Sequence, residues 1–219
     1  APPSPAPTVV PDSSGGEMPD VMPAMTPTPV PVPAPTPAPV ATKAAATSTE
    51  MRDRMKSGDE GPLLVVVPGG TFQMGSNLMA HPDQDPKHTV NVVDIAVGKF
   101  EVTQAEYASY AKATGAKMPE QGRDGDSRPV VNVAWADANG YLEWLSEETG
   151  ETYRLLSESE WEYVASAGNE LPYWWGYQME VGRAHCLTCG SDFTSKYPTR
   201  VGRFEPNAFG LYDTAGNVS

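Results

Sequence analysis

The chain has 219 residues, a formal net charge of −13 and 39% hydrophobic residues. So acidic a chain argues against a nucleic-acid backbone as partner, and no apolar run approaches the ~20 residues that a membrane-spanning helix needs. Its two cysteines are too few for a disulfide framework and do not fix a redox compartment.

Fourteen of the 23 prolines fall in the first 40 residues, which rules out regular helix or sheet there. The run "PTPVPVPAPTPAPVAT" is expected to be extended and polyproline-like, at about 3 Å per residue. It reads as a plain tether, with a ligand for a proline-binding module as the alternative. Residues 1–50 are therefore expected to form a Pro/Ala/Thr-rich disordered linker, which favours a periplasmic or extracellular setting. The sequence does not open on Met, as expected of a processed or excerpted chain. Residues 51–219 carry most of the negative charge, a composition compatible with bound divalent cations.

In "GPLLVVVPGGTFQMGS" a β-branched run at 65–67 meets the turn Pro68-Gly69-Gly70, and 71–74 reads as a second strand. "HTVNVVDIAVGKFEVT" has the same character. Three helices follow. Thr103 and Glu106 form a capping box, Tyr107, Tyr110, Ala111 and Thr114 share a face, and Gly115 is the stop. The second helix starts near Trp135, repeats apolar residues at Ala138, Tyr141, Leu142 and Leu145, and ends at Gly150. The third has a capping box at Ser157 and Glu160, turns Trp161, Val164 and Ala165 to the core, and ends at Gly168. Short helices beside short strands, without regular alternation, imply α+β with a high loop content.

After Gly168 the periodicity disappears, and a run that long is expected to be functional or held by ligands or metals. It contains Cys186-Leu187-Thr188-Cys189. Two thiolates there suit a soft metal, but a lone C-x-x-C without a second pair favours a structural role, as a disulfide closing a tight loop or as buried thiols. His185 beside it reads as a solvated loop residue. Trp135, Trp144, Trp161, Trp174 and Trp175 are candidate sugar or peptide platforms. Trp135 and Trp161 are expected in the core, and Trp174-Trp175 partly exposed. "HPDQDPKH", His81 to His88, reads as a surface turn, not a metal loop. Capping and helix-dipole placement account for Glu158 and Glu160 without acid catalysis. At the other end, Phe209, Leu211 and Tyr212 form an apolar cluster with no polar tail after it, so these side chains are expected to have lost packing partners.

Six segments in order, "VVVPGGTFQMGS", "KFEVTQAEYASYAKATG", "RPVVNVAWADANGYLEWLSEETG", "YRLLSESEWEYVASAG", "YWWG" and "VGRFEPNAFGLYDTAGNV", resemble the formylglycine-generating enzyme (sulfatase-modifying factor) domain. The resemblance covers nearly everything after Gly61. It implies a variant of the C-type-lectin fold with little regular structure and bound calcium. It also implies that residues 51–219 are the N-terminal part of a bacterial-type domain, incomplete at the C-terminus. Family enzymes oxidise a substrate cysteine to formylglycine with molecular oxygen at a copper ion. The two copper-holding cysteines of the family lie beyond residue 219, so no catalytic residue is carried over. Asp213, Gly216 and Val218 match positions that bind a family calcium, through one side-chain oxygen and two backbone carbonyls. His185 stands where another family calcium has an Asn ligand, and imidazole suits calcium poorly; Asp192 is at best a remnant of that site. Leu156 replaces the Pro usual at that helix entry. The implied partner is a protein or peptide. An oxidase and a non-catalytic binding module on a Pro-rich tether are both compatible with these residues, and oligomeric state is not legible.

Overall fold

The structure, a computed structural model, describes residues 49–76, 86–186, 189 and 197–218. The expected linker up to residue 48, most of the turn that starts at His81, and Asp192 lie outside them. The elements in order are β1 (Thr49–Met51), β2 (Leu64–Val67), β3 (Gly70–Met74), β4 (His88–Val92), β5 (Ile95–Gly98), α1 (Gln104–Thr114), α2 (Trp135–Thr149) and α3 (Glu158–Ser166). Strands β1, β2 and β5 form one antiparallel sheet in that order, and β3 and β4 pair as a second. β1 begins at Thr49, just inside the stretch expected as linker, and pairs with β2 although all three of its residues are exposed. The mixed α+β architecture is as the sequence implied.

β2 is built from "LVVV", with Leu64, Val65 and Val67 buried; β-branched side chains suit such a pleated, buried surface. The glycines that follow are required by close approach. A Cβ on Gly69 would lie 2.5 Å from the Val92 carbonyl oxygen, and one on Gly70 2.6 Å from the Tyr163 hydroxyl. That hydroxyl donates to the Pro68 carbonyl at 3.0 Å. The Tyr163 ring sits between Phe72 and Phe209, 5.3 Å from each. This wedge joins α3 to β2, β3 and the 207–211 loop in one core with Val65, Val67, Val92, Val164 and Leu211. A second core gathers Tyr107, Tyr110, Tyr141 and Leu145 between α1 and α2.

Both expected capping boxes are present, at Thr103/Glu106 and Ser157/Glu160. The third helix closes on Ala167 in the left-handed region, at φ 54°, one residue before the expected glycine. Two tryptophans correct the sequence expectation. Trp135 is 75% exposed and Trp161 58%. The buried face of α3 runs through Tyr163 and Val164, which turns Trp161 off the core, and Trp135 opens α2 beyond the reach of its core. In the apolar cluster near the end, Phe209 is 8% and Leu211 2% exposed and Tyr212 is half-buried, because the loop folds back onto α3 and β2.

Glu160 both caps α3 and takes two hydrogen bonds from the Arg154 guanidinium, at 2.7 Å each. The Arg154 bonds, helped by Ser157, hold its carboxyl down at about 2. A carboxyl depressed on folding stabilises the fold above its unfolded value, and the contribution is lost as pH falls through the folded one. Glu160→Gln keeps a capping partner and removes the charge. Thermal melts between pH 6 and pH 2 are expected to show a steeper acid decline for the wild type than for E160Q; equal slopes would refute the linkage.

Candidate functional site

Among the described residues after α3 there is no strand, and side-chain amides satisfy several of the buried backbone groups there. Asn207, 4% exposed, donates to the Val164 carbonyl at 2.7 Å and accepts the Phe209 and Leu211 N–H groups at 3.0 and 3.2 Å. The Asn207 pairings pin the loop that leads into Asp213. Asn217 does the same at the far side. Its Oδ1 accepts the Thr199 N–H at 2.8 Å, and its Nδ2 donates to Glu101 Oε2 at 2.8 Å.

Between these anchors the backbone turns tightly, with Asp213, Gly216 and Asn217 all at positive φ. Asp213 Oδ2 accepts the Gly202 N–H at 2.6 Å. Its other oxygen, Oδ1, is buried without a hydrogen-bond partner, and so is Glu101 Oε1. Burial pushes the Glu101 carboxyl up to about 8; the Asn217 bond opposes the rise, and the nearby Asp213 charge adds to it. Burial also raises Asp213, against the pull of the Gly202 bond. Two acidic groups close together and out of water resist ionising together. A cleft of about 540 Å³ between the β2–β5 sheet and α2 reaches Glu101.

The turn leans on His185. The Asn217 N–H donates to the His185 carbonyl at 2.8 Å, and a Cβ on Gly216 would come within 2.5 Å of that oxygen. His185 is 8% exposed, which corrects its reading as a solvated loop residue. Its backbone meets Gly216 and Asn217, some thirty residues away, which no local pattern announces. Cys186 and Cys189 are joined by a disulfide, Cα atoms 5.2 Å apart, with Cys189 buried. Asp213, Gly216 and Val218 therefore share one turn, and the cysteine pair abuts it through His185. Glu101 was not singled out from sequence; it sits two residues before a helix cap, where an acidic residue carries no signal of its own.

A second surface lies across α3. Trp161, Tyr173, Trp174 and Tyr177 line a groove of about 680 Å³ with Glu162, whose Oε1 accepts the Gly75 N–H at 2.8 Å. Trp174 and Trp175 are half-buried, and Tyr173 stacks on Trp175 at 4.9 Å.

Residues 48–219 match the sulfatase-modifying factor enzyme 1-like domain. A formylglycine-generating enzyme of Mycobacterium tuberculosis is 30% identical over 223 residues, spanning 71% of this chain and 71% of that protein. Serine/threonine-protein kinase pkn1 of Chlamydia pneumoniae is 32% identical over 177 residues, 71% of this chain and 26% of the kinase. The solved structure of PvdO from Pseudomonas aeruginosa aligns with a TM-score of 0.62 at 32% identity, covering 78% of this chain and 72% of that one.

Because Asn217 already adopts a left-handed conformation, Asn217→Gly removes the amide without straining the backbone. The Thr199 N–H and Glu101 Oε2 lose their partner, and the fold is expected to lose about 1–3 kcal/mol in urea denaturation. A loss near zero would mean that the amide does not hold the turn.

Proposed function

The chain belongs to the sulfatase-modifying factor enzyme 1-like family, and from that premise we propose that proteins built on it oxidise a substrate cysteine to formylglycine with molecular oxygen, residues 1–219 supplying a calcium-braced body and no turnover of their own. The observation that carries this reading is the state of the cysteines. The chain has two, and each is bonded to the other. Copper, the metal of the family chemistry, calls for thiolates. A disulfide presents none, so these residues do not fit copper.

Calcium fits. Asp213 Oδ1, in the turn, and Glu101 Oε1, ahead of α1, are hard oxygen donors, both buried and without hydrogen-bond partners. Backbone carbonyls, which calcium accepts readily, would complete the donor set. The Gly216 and Val218 carbonyls, at positions that resemble a family calcium site, would fill that role. Gly216 already accepts the Val218 N–H at 3.0 Å, and a carbonyl keeps a second lone pair for a cation. Bound there, calcium supplies charge neutralisation for the carboxylate pair. The chain's own residues do the rest. Asn217 orients Glu101, Gly202 orients Asp213, and Asn207 places the loop.

A second reading, a non-catalytic module that binds a protein or peptide, is favoured by the exposed aromatic groove around Trp161 and Tyr177. A match confined to 26% of a kinase adds to it, since a domain of this kind also occurs within a protein of a different named activity.

Three measurements separate these readings. Incubated with copper, oxygen, reductant and a cysteine-bearing sulfatase peptide, the chain is expected to yield no formylglycine by mass spectrometry; product would overturn the assignment of turnover to other residues. Calcium titrated calorimetrically is expected to bind at about millimolar and to weaken at least tenfold in Asp213→Asn and in Glu101→Gln. Unchanged affinity in both variants would remove the calcium reading. Peptide binding without turnover, lost in Trp161→Ala, would favour the module.

A further inference from the structure

We infer that the Cys186–Cys189 disulfide is a redox control on the 213–217 turn: its reduction by a dithiol loosens that turn and weakens cation binding at Asp213 and Glu101. The cation half of this inference rests on the calcium reading above; the mechanical half does not.

The contacts run without a gap from the disulfide to the Glu101 carboxyl. Cys189 is 1% exposed, and the disulfide ties Cys186 to it, three positions earlier in the chain. Cys186 is bonded through the backbone to His185, whose position the cross-link therefore restrains. The His185 carbonyl accepts the Asn217 N–H at 2.8 Å. On its other flank Gly216 packs so close that a Cβ would stand 2.5 Å from the carbonyl oxygen. Asn217 in turn holds the Thr199 N–H and Glu101 Oε2, each at 2.8 Å. A shift of the His185 carbonyl is thus felt at the Asn217 amide. The Asn217 side chain then passes it to the carboxylate whose second oxygen is unpartnered.

The chemistry balances with a dithiol as reductant. Its thiolate attacks Sγ of Cys186, the less buried residue of the pair, and Cys189 leaves as a thiolate. The reductant's second thiol then displaces Cys186 and closes the reductant's own disulfide, so that two electrons and two protons pass to the cysteine pair. Nothing else in the turn is altered covalently. The effect on the cation is carried by position alone.

The test uses the full chain, air-oxidised, reduced with dithiothreitol, and re-oxidised, with Cys186→Ser/Cys189→Ser as a permanently open form. Amide hydrogen exchange without calcium reads the Asn217 N–H, and calorimetry reads calcium affinity. Far-UV circular dichroism reports whether the domain stays folded. Reduction is expected to speed Asn217 exchange at least tenfold with the helical signal unchanged, to weaken calcium at least fivefold, and to reverse on re-oxidation; the double variant should behave as the reduced chain. Equal Asn217 exchange in oxidised and reduced forms overturns the inference whatever calcium does. Faster exchange with no calcium binding in either form upholds the coupling and removes the calcium reading with its redox control. A helical signal lost on reduction also overturns it, because the disulfide would then hold the whole fold and not the turn.

Discussion

A buried carboxamide donates and accepts at once, and the irregular part of this molecule is organised around that property. Gln104, 7% exposed, donates to the Arg123 and Pro129 carbonyls and accepts the Gly125 N–H. Gln121, also 7% exposed, bonds both the N–H and the carbonyl of Val131. Asn207 and Asn217 repeat the device after α3. Each replaces the strand partner that a sheet would have provided. Removing one leaves several main-chain groups unsatisfied together, and each such group costs about 1–3 kcal/mol. Long loops survive here because their polar groups are answered one by one from the side.

The same device sets the chemistry. Asn217 has one face toward Thr199 and another toward Glu101, so the loop that satisfies the backbone also aims a carboxylate. Gly202 aims the second. The two unpartnered oxygens that result are the product of a packing solution, which uses up one oxygen of each acid and leaves the other. Neither acid lies in a regular element. Both are placed by the chain segments around them, and this is why a turn with three positive φ angles, at Asp213, Gly216 and Asn217, accompanies the site. Only Gly, Asn and Asp adopt that conformation readily.

Much of this was legible in sequence where the signal is local. Capping boxes at Thr103 and Ser157, the glycine stops after α1 and α2, and the β-branched run of β2 all act within a few residues of themselves. The failures have a common cause. Helical period gives the direction in which a side chain points, not how far the core extends beneath it. So Trp135, at the first position of α2, points past the packed residues into water. Trp161 is three residues from Val164 but lies on the opposite side from Tyr163, and the core took the Tyr163 side. The placement of His185 and the role of Glu101 depend on segments 31 and 116 residues away in the chain, at Gly216 and Asn217. Three-residue β1 has no buried side chain and is held by its ladder to β2 and by Glu50 on Lys99, 2.6 Å apart, which hydrophobic patterning does not detect.

That bare strand gives the domain a mechanical character. A transverse pull applied at Thr49 meets the end pair of the ladder, Thr49 with Val66, before the pairs of Glu50 and Met51. The bonds therefore yield in succession, as a zipper does, and no buried β1 side chain is torn out while they open. The tear next reaches Arg52 on the Gly61 carbonyl and Asp53 under the Tyr153 hydroxyl, each at 2.6 Å. There the load passes into α2 and its aromatic neighbours, where resistance rises. β1 is thus a weak link ahead of a strong one: the first few residues lengthen under tension before the aromatic core bears the load.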